Sequence, residues 1–208
     1  LGIFISIDGC DGTGKSTQLE LLCEWLGGLG HELVTCRDPG STDLGEAVRE
    51  LLLMRHDLRI DRRSEMLLYM AARSQLVEEV IRPALAAGKT VVCDRFLLAN
   101  VVYQGRAGGL DPDTLWQVGR VATDGLSPDL TIVLDMPSEA AAARLQRTLD
   151  RMEQQGDAFH ARVRDGFLAE AQQFAARFEN ARIEVIAADR SIEEIRDEIR
   201  NVVQACLK

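Results

Sequence analysis

The chain has no apolar run approaching 18 residues, so hydropathy offers no membrane-spanning helix. Its first residues form a β-branched run followed by glycines, not a basic segment ahead of an apolar one, and no secretory leader is expected. Basic residues are in deficit: 24 Lys and Arg against 33 Asp and Glu leave a formal net charge of −9. A broad nucleic-acid surface depends on many phosphate contacts and the counterions they release, and this balance argues against one. Any anionic ligand must therefore be met by a local cluster of cations. The five cysteines, Cys10, Cys23, Cys36, Cys93 and Cys206, are odd in number and never spaced C-x-x-C. That argues against a disulfide framework or a zinc site and leaves reduced, mostly buried thiols. Cys10 stands apart, because a thiol in a glycine loop ahead of a helix can be reactive. Prolines number 5, and no repeat or low-complexity tract interrupts the 208 residues, so disorder is not expected. The expectation is a soluble, cytoplasmic protein that binds neither membrane nor nucleic acid, with residues 1–208 as a single domain around one substantial core.

What is present begins with Ile3-Phe4-Ile5-Ser6-Ile7, which ends in Asp8 and runs into Gly9-Cys10-Asp11-Gly12-Thr13-Gly14-Lys15-Ser16-Thr17 and then a helical pattern. Strand, G-x-x-x-x-G-K-S and helix in that order form a phosphate-binding P-loop. The spacing matters because successive backbone N–H groups must converge on phosphate oxygens, through conformations that only glycine adopts without strain. Lys15 adds a charge, the Ser16 hydroxyl can hold Mg²⁺, and the helix starting near Lys15 offers its unpaired N–H groups to the same anion.

Strand-like runs recur at Ile3–Ile7, Leu33–Cys36, Thr90–Cys93, Leu130–Leu134 and Ile183–Ala187, separated by helical patterns. Near-continuous apolar runs mark strands covered on both faces, which predicts an α/β three-layer sandwich around a five-stranded parallel sheet. Helices are predicted over Ser16–Leu29, from Asp43 to about Met54, from Asp61 through Ala87, from Asp111-Pro112 onward, from Pro137 to about Leu149, and after a Ser191/Glu194 capping box. Between Thr148 and Gly156 the pattern lapses into a polar, charged connection, so a mobile lid is expected at about residues 144–156.

Ligands of open parallel sheets bind beyond the carboxyl ends of the strands. After the second strand comes Arg37-Asp38-Pro39-Gly40, after the third Asp94-Arg95, after the fourth Asp135, and after the fifth Ala188-Asp189. Asp94 can bind Mg²⁺ or its waters while Arg95 clamps a phosphoryl group; a plain strand-end ion pair is the other reading. Arg144, Arg147 and Arg151 fall at helical spacing and suit charge clamps for a migrating phosphoryl group, or else a solvated face paired with Asp150 and Glu153. Tyr69 and Arg73 share a helix face and can stack and hydrogen-bond a base, although a core tyrosine capped by an arginine accounts for them as well.

Gly9 to Gln18, Arg37-Asp38-Pro39-Gly40-Ser41-Thr42, Tyr69 to Gln75, Asp94-Arg95, Tyr103-Gln104-Gly105, Pro128 to Thr131 and Leu149-Asp150-Arg151, in this order, resemble the thymidylate (dTMP) kinase family over about residues 3–200. The resemblance implies a P-loop nucleoside monophosphate kinase fold, ATP-dependent phosphorylation of dTMP to dTDP with Mg²⁺, and a homodimer. It places ATP on Gly9, Cys10, Asp11, Gly12, Thr13, Gly14, Lys15, Ser16, Thr17 and Arg144, and Mg²⁺ on Ser16 and Asp94. It implies that Asp11 binds the acceptor 3′-hydroxyl, Tyr69 stacks on thymine, Arg73 donates to O4, Asn100 and Gln104 read N3, and Tyr103 crowds out a ribose 2′-hydroxyl. Arg95, with Arg49 nearby, would grip the acceptor phosphate. The variable P-loop positions hold no arginine, so Arg147 and Arg151 are the expected catalytic clamps beside Lys15 and Arg95, as in the family's bacterial-type members. Tyr69, Phe96 and Ala99 depart from the family's usual residues, which keeps open a kinase of another nucleoside monophosphate or of a deoxynucleoside. A nucleotide-binding regulator without turnover would be expected to lack Lys15, Arg95 or the lid arginines, and all are present. A GTPase would need a guanine-reading N-K-x-D run, and none occurs.

Overall fold

The computed structural model describes residues 2–145, 150–177 and 181–207. Five strands, β1 (Phe4–Gly9), β2 (Leu33–Arg37), β3 (Thr90–Asp94), β4 (Leu130–Asp135) and β5 (Arg182–Ala187), form one sheet in the order β2-β3-β1-β4-β5. Every pairing is parallel, with registers such as Ile7 opposite Asp94, Asp8 opposite Val133 and Arg37 opposite Asp94. The predicted strands fall within one or two residues of the observed ones. β1 is central, so the loop after it opens where neighbouring connections diverge, and a crevice forms there.

Side chains alternate across each strand and divide the core in two. Ile5, Ile7, Val92, Ile132 and Leu134 pack on one face against Leu22 and Leu26 of α1 (Lys15–Gly28) and Ile195, Ile199 and Val203 of α9 (Ile192–Cys206). Phe4, Val91, Cys93 and Val133 pack on the other against α3 (Arg62–Leu76), α5 (Leu97–Asn100), α6 (Pro112–Ala122) and α8 (Asp157–Arg177). The second face also carries α2 (Asp43–Leu53), whose Val48, Leu52 and Leu53 are buried there. Side-chain N-caps open α2, α3, α6 and α9 at Thr42, Asp61, Asp111 and Ser191, the last as the predicted capping box.

Three expectations need correction. The helix predicted from Asp61 through Ala87 is interrupted by a π-helical turn at Val77–Ile81, where the Arg82 N–H reaches back five residues to the Val77 carbonyl before α4 (Arg82–Ala86) resumes. Pro83 follows at once and has no N–H to give, so the ladder widens there instead of breaking. A second π-helical turn at Val101–Ala107, with no counterpart in the sequence reading, continues α5 and carries Tyr103 and Gln104. The helix expected from Pro137 to about Leu149 is α7 (Ser138–Ala143), with Arg144 as its C-cap; residues 146–149 lie outside the described residues. Arg144 and Arg151 therefore do not share one helix face.

α8 is anchored by a charge. Glu170, fully buried, accepts from Trp116 Nε1 at 2.8 Å and Arg106 Nε at 2.7 Å, linking α8 to α6 and to the second π-helical turn. Removing one partner of a fully buried pair costs about 3–5 kcal/mol, and Arg106 keeps about a third of its side chain in water. Glu170→Ala is expected to lose about 2–3 kcal/mol on this scale, measured by urea unfolding, with the Arg106→Ala loss at least as large because it takes the guanidinium from a fully buried carboxylate.

Candidate active site

The glycine loop is shaped by close approach. Gly12 has φ 85°, and a Cβ there would lie 2.1 Å from the Ala141 carbonyl oxygen of α7. Gly9, at φ 135°, comes as close to β4, where a Cβ would meet the Leu134 carbonyl oxygen at 2.5 Å. No other residue fits either position. α1 starts at Lys15 after Gly14 in the left-handed region, with no side-chain cap, so its first N–H groups face the loop. Thr13 Oγ1 and Lys15 Nζ donate to the Cys10 carbonyl at 2.9 Å and 2.7 Å, and Lys15 lies 3.7 Å from Asp11.

Arg95 joins this loop to β3. Its backbone sits at φ 67°, an uncommon conformation for a side-chain-bearing residue. Its guanidinium donates to the Gly9 carbonyl at 2.9 Å and to Asp11 Oδ1 at 2.5 Å, and it lies 5.2 Å from the Tyr103 ring centroid. The Tyr103 hydroxyl donates to Asp11 Oδ2 at 3.2 Å. Burial works to raise the Asp11 carboxyl, but Arg95, Lys15 and these hydrogen bonds hold it well below the usual carboxylate range. Burial lowers Lys15, with Arg95 beside it acting the same way. The Cys10 thiol is pushed up to about 11 by burial. It stays protonated, which corrects the expectation of a reactive thiol in this loop.

A second wall faces the loop across the cavity. Arg73 donates to Asp38 Oδ2 at 2.5 Å and to Asn100 Oδ1 at 3.1 Å; Asn100 Nδ2 donates to Gln104 Oε1 at 2.7 Å. Tyr69 lies on the same helix as Arg73, and burial raises its hydroxyl far enough that it stays neutral. Arg49 donates to the Pro39 carbonyl at 3.0 Å. The cavity between the walls holds about 650 Å³ and is lined by Asp11 through Thr17, Arg49, Tyr69, Arg73, Asp94, Arg95, Asn100, Tyr103, Gln104 and Arg144. Gly9 and Cys10, also expected at the ATP phosphates, are not among its lining residues. A larger cavity of about 740 Å³, lined by Trp116, Arg120 and Asp129 among others, contains none of the loop residues. Without convergent phosphate donors it is not the site.

Two lid arginines end differently. Arg147 lies outside the described residues. Arg151, expected as a phosphate clamp, is held elsewhere. Its Nε donates to the Leu52 carbonyl at 2.6 Å, its backbone N–H donates to the Leu53 carbonyl at 3.2 Å, and its guanidinium pairs with Glu65. It caps the open carbonyl end of α2, so its guanidinium is engaged by Leu52 and Glu65 and it is not among the residues that line the cavity. The sequence reading missed Glu65 and the lining residues Arg190, Ile192 and Ile195. For Glu65 a signal existed, since Glu65, Tyr69 and Arg73 repeat at four-residue spacing on the buried face of α3.

The fit of Mg²⁺ rests on Asp94, whose Oδ1 is shielded from water and without a hydrogen-bond partner, at the cavity wall that also holds Ser16. A carboxylate and a hydroxyl are the hard oxygen donors Mg²⁺ takes, with phosphates and water completing its shell. Accordingly, no group of three or more His, Cys, Asp or Glu suited to a metal exists among the described residues.

The thymidylate kinase family model matches residues 7–199. The chain belongs to the thymidylate kinase family. It is 46% identical over 198 residues to a thymidylate kinase of Rhodopirellula baltica, covering 95% of this chain and 78% of that one. It is also 46% identical over 200 residues to a thymidylate kinase of an Exiguobacterium species, covering 95% and 92%. The crystal structure of thymidylate kinase from Ehrlichia chaffeensis superposes with a TM-score of 0.76 at 31% identity, covering 98% of this chain and 99% of that one. Thymidylate kinases are phosphotransferases that phosphorylate dTMP to dTDP with ATP, and the sheet and glycine loop described above are the P-loop nucleoside monophosphate kinase fold.

One carboxyl at the entrance to the glycine loop works against stability. Burial pushes Asp8 up to about 6 from 3.8, against the pull of Arg95, and its Oδ1 has no partner. The folded chain therefore binds this proton more tightly than the unfolded chain. The cost is absent below pH 3.8, grows as pH rises, and is complete above about 6, amounting to about 3 kcal/mol at most. Asp8→Asn is expected to be more stable than wild type by about 1–2 kcal/mol at pH 7.5 and to lose that advantage by about pH 4, as read from denaturant unfolding at the two pH values.

Proposed function

We propose that the cavity takes ATP at the glycine loop and dTMP at the wall of Tyr69, Arg73, Asn100 and Gln104, and that Arg95 holds the phosphoryl group between them. The observation that carries this is the position of the Arg95 guanidinium, bonded to the Gly9 carbonyl and to Asp11 at the edge of the cavity that the base wall also lines. The reaction is the family's, a kinase and transferase step of nucleotide biosynthesis in which ATP phosphorylates dTMP to dTDP.

Each residue has a task in that reading. Loop N–H groups from Gly9 to Thr17, with Lys15, hold the donor phosphates; Arg144, whose guanidinium donates to the Ala188 carbonyl at 3.3 Å, borders the adenine end with Arg190. Asp11 receives the acceptor sugar's 3′-hydroxyl, and Tyr103 fills the space a ribose 2′-hydroxyl would need. Arg95 and Arg49 hold the acceptor phosphate. Bound at Ser16 and Asp94, Mg²⁺ would neutralise phosphate charge. Transfer is direct, with no side-chain nucleophile, so positioning and charge stabilisation carry the rate. The lining supports this electrostatically: seven basic residues against four acidic ones, in a protein of net charge −9.

The proposal extends to a homodimer in the cytoplasm, built from one domain per chain. Leu44 on α2, Leu67 on α3 and Val121 on α6 are large apolar side chains left exposed on neighbouring helices, which a second copy would cover. The five cysteines are free, which suits a reducing compartment, and no described helix is long and apolar enough to cross a membrane.

A steady-state assay with ATP, Mg²⁺ and a panel of dTMP, dUMP, dGMP and thymidine tests the reading, with dTMP expected to have the highest kcat/KM. Lys15→Ala and Arg95→Ala are each expected to lower kcat/KM by about 10³ or more. Near wild-type turnover in the Arg95 variant would show the acceptor site to be misassigned.

A further inference from the structure

The base wall belongs to a longer hydrogen-bonded row whose direction is set at both ends by charge. Arg73 can only donate, and it donates to Asn100 Oδ1 at 3.1 Å. The Asn100 amide nitrogen is thereby turned toward Gln104 Oε1, to which it donates at 2.7 Å. The Gln104 amide nitrogen in turn donates at 2.9 Å to Glu65 Oε1, a carboxylate that can only accept. The other Glu65 oxygen takes the Arg151 guanidinium, while Arg62 stays 3.8 Å away, outside hydrogen-bond reach. Glu65, Arg73, Asn100 and Gln104 are each at most 2% exposed, so water cannot replace a lost partner. Unlike Asn100 and Gln104, Glu65 does not line the cavity.

We propose that Glu65 is a positioning residue for base selection: by accepting from the Gln104 amide it holds the row so that the wall presents a donor, Arg73, followed by the acceptor oxygens of Asn100 and Gln104. Donor followed by acceptor complements a pyrimidine that offers C4=O and N3–H. It opposes cytosine, which offers an amino group at C4 and a bare N3. A site whose buried polar groups would be left unpaired rejects the mismatched base strongly. The inference rests on the reading of this wall as the dTMP base site, and it adds that the selectivity of the wall depends on a carboxylate that never touches the nucleotide.

The discriminating variant is Glu65→Gln. Its side chain keeps the shape but has one acceptor where there were two. Arg151 claims that oxygen, so an NH₂ group faces Gln104 and the row must reverse or leave two donors opposed. In Glu65→Gln/Arg151→Met the oxygen is free again for Gln104. The probes are dTMP and 5-methyl-dCMP, which share the sugar, phosphate and methyl group and differ only along the N3–C4 edge. Their dissociation constants are measured by calorimetry on wild type and both variants. The wild-type preference for dTMP is expected to fall about tenfold in Glu65→Gln and to return to within about threefold in the double variant. A preference unchanged in Glu65→Gln, or equally reduced in both variants, would overturn the inference. Absence of any wild-type preference for dTMP would instead overturn the functional reading and the inference with it. Should Glu65→Gln not fold, the wild type decides: the Gln104 side-chain amide protons are expected to exchange with solvent at least about a hundredfold more slowly than those of free glutamine, and exchange at the free rate refutes the proposal.

Discussion

The bond between Arg95 and Asp11 ties the end of β3 to the glycine loop at the end of β1, and much of the site follows from it. Arg95 reaches that position from a left-handed backbone conformation, and its guanidinium meets the Gly9 carbonyl and the Asp11 carboxylate together. Two loops that would each be mobile alone thereby hold one geometry, with a fixed positive charge at the edge of the crevice. Tyr103 joins the knot through its hydroxyl and through its ring against Arg95. The helical turn that carries Tyr103 and Gln104 is thus registered against the glycine loop. Positioning of this kind is the main contribution a protein makes to phosphoryl transfer.

The chain concentrates cations where its overall charge opposes them. A net charge of −9 surrounds a cavity in which basic residues outnumber acidic ones, so the local field attracts phosphate although the whole molecule is acidic. Buried charge is costly unless each group has a partner. Asp38 with Arg73, Glu65 with Arg151, Glu170 with Arg106 and Asp11 with Arg95 meet that requirement. Among the described residues, Asp8 and Asp94, beside the loop, have no such close cation bonded to them, and each keeps a shielded oxygen without a partner, as Asp38 also does with its second oxygen. Both lie where charge of opposite sign is needed for function, a common place for local stability to be given up.

Much of this was legible in one dimension. The β-branched runs located the strands to within a residue or two, because a strand covered on both faces must be apolar throughout. The G-x-x-x-x-G-K-S spacing located the loop, because the close approach at Gly9 and the left-handed backbone at Gly9 and Gly14 call for glycine. Arg73, Asn100, Tyr103 and Gln104 were legible through their order along the chain and do line one cavity. Less legible were the two π-helical turns, since the wider ladder arises from packing and from Pro83, with no distinct periodicity of its own. The orientation of Arg151 was also hidden. Its spacing from Arg144 suggested a shared helix face, but α7 ends at Ala143 and Arg151 caps α2 instead.

By itself the sequence determined the layered parallel architecture, the phosphate loop and the identity of the groups available for catalysis, because these depend on hydrophobic pattern and on residue-specific backbone freedom acting over short spans. Tertiary structure alone decided which donors face which acceptors. The ends of the row at Arg73 and Glu65, the protonated state of Cys10 and the partners of Arg144 and Arg151 depend on groups 27 to more than 80 residues apart meeting in a water-poor interior. Burial and neighbouring charge set those outcomes, and neither can be read from spacing along the chain.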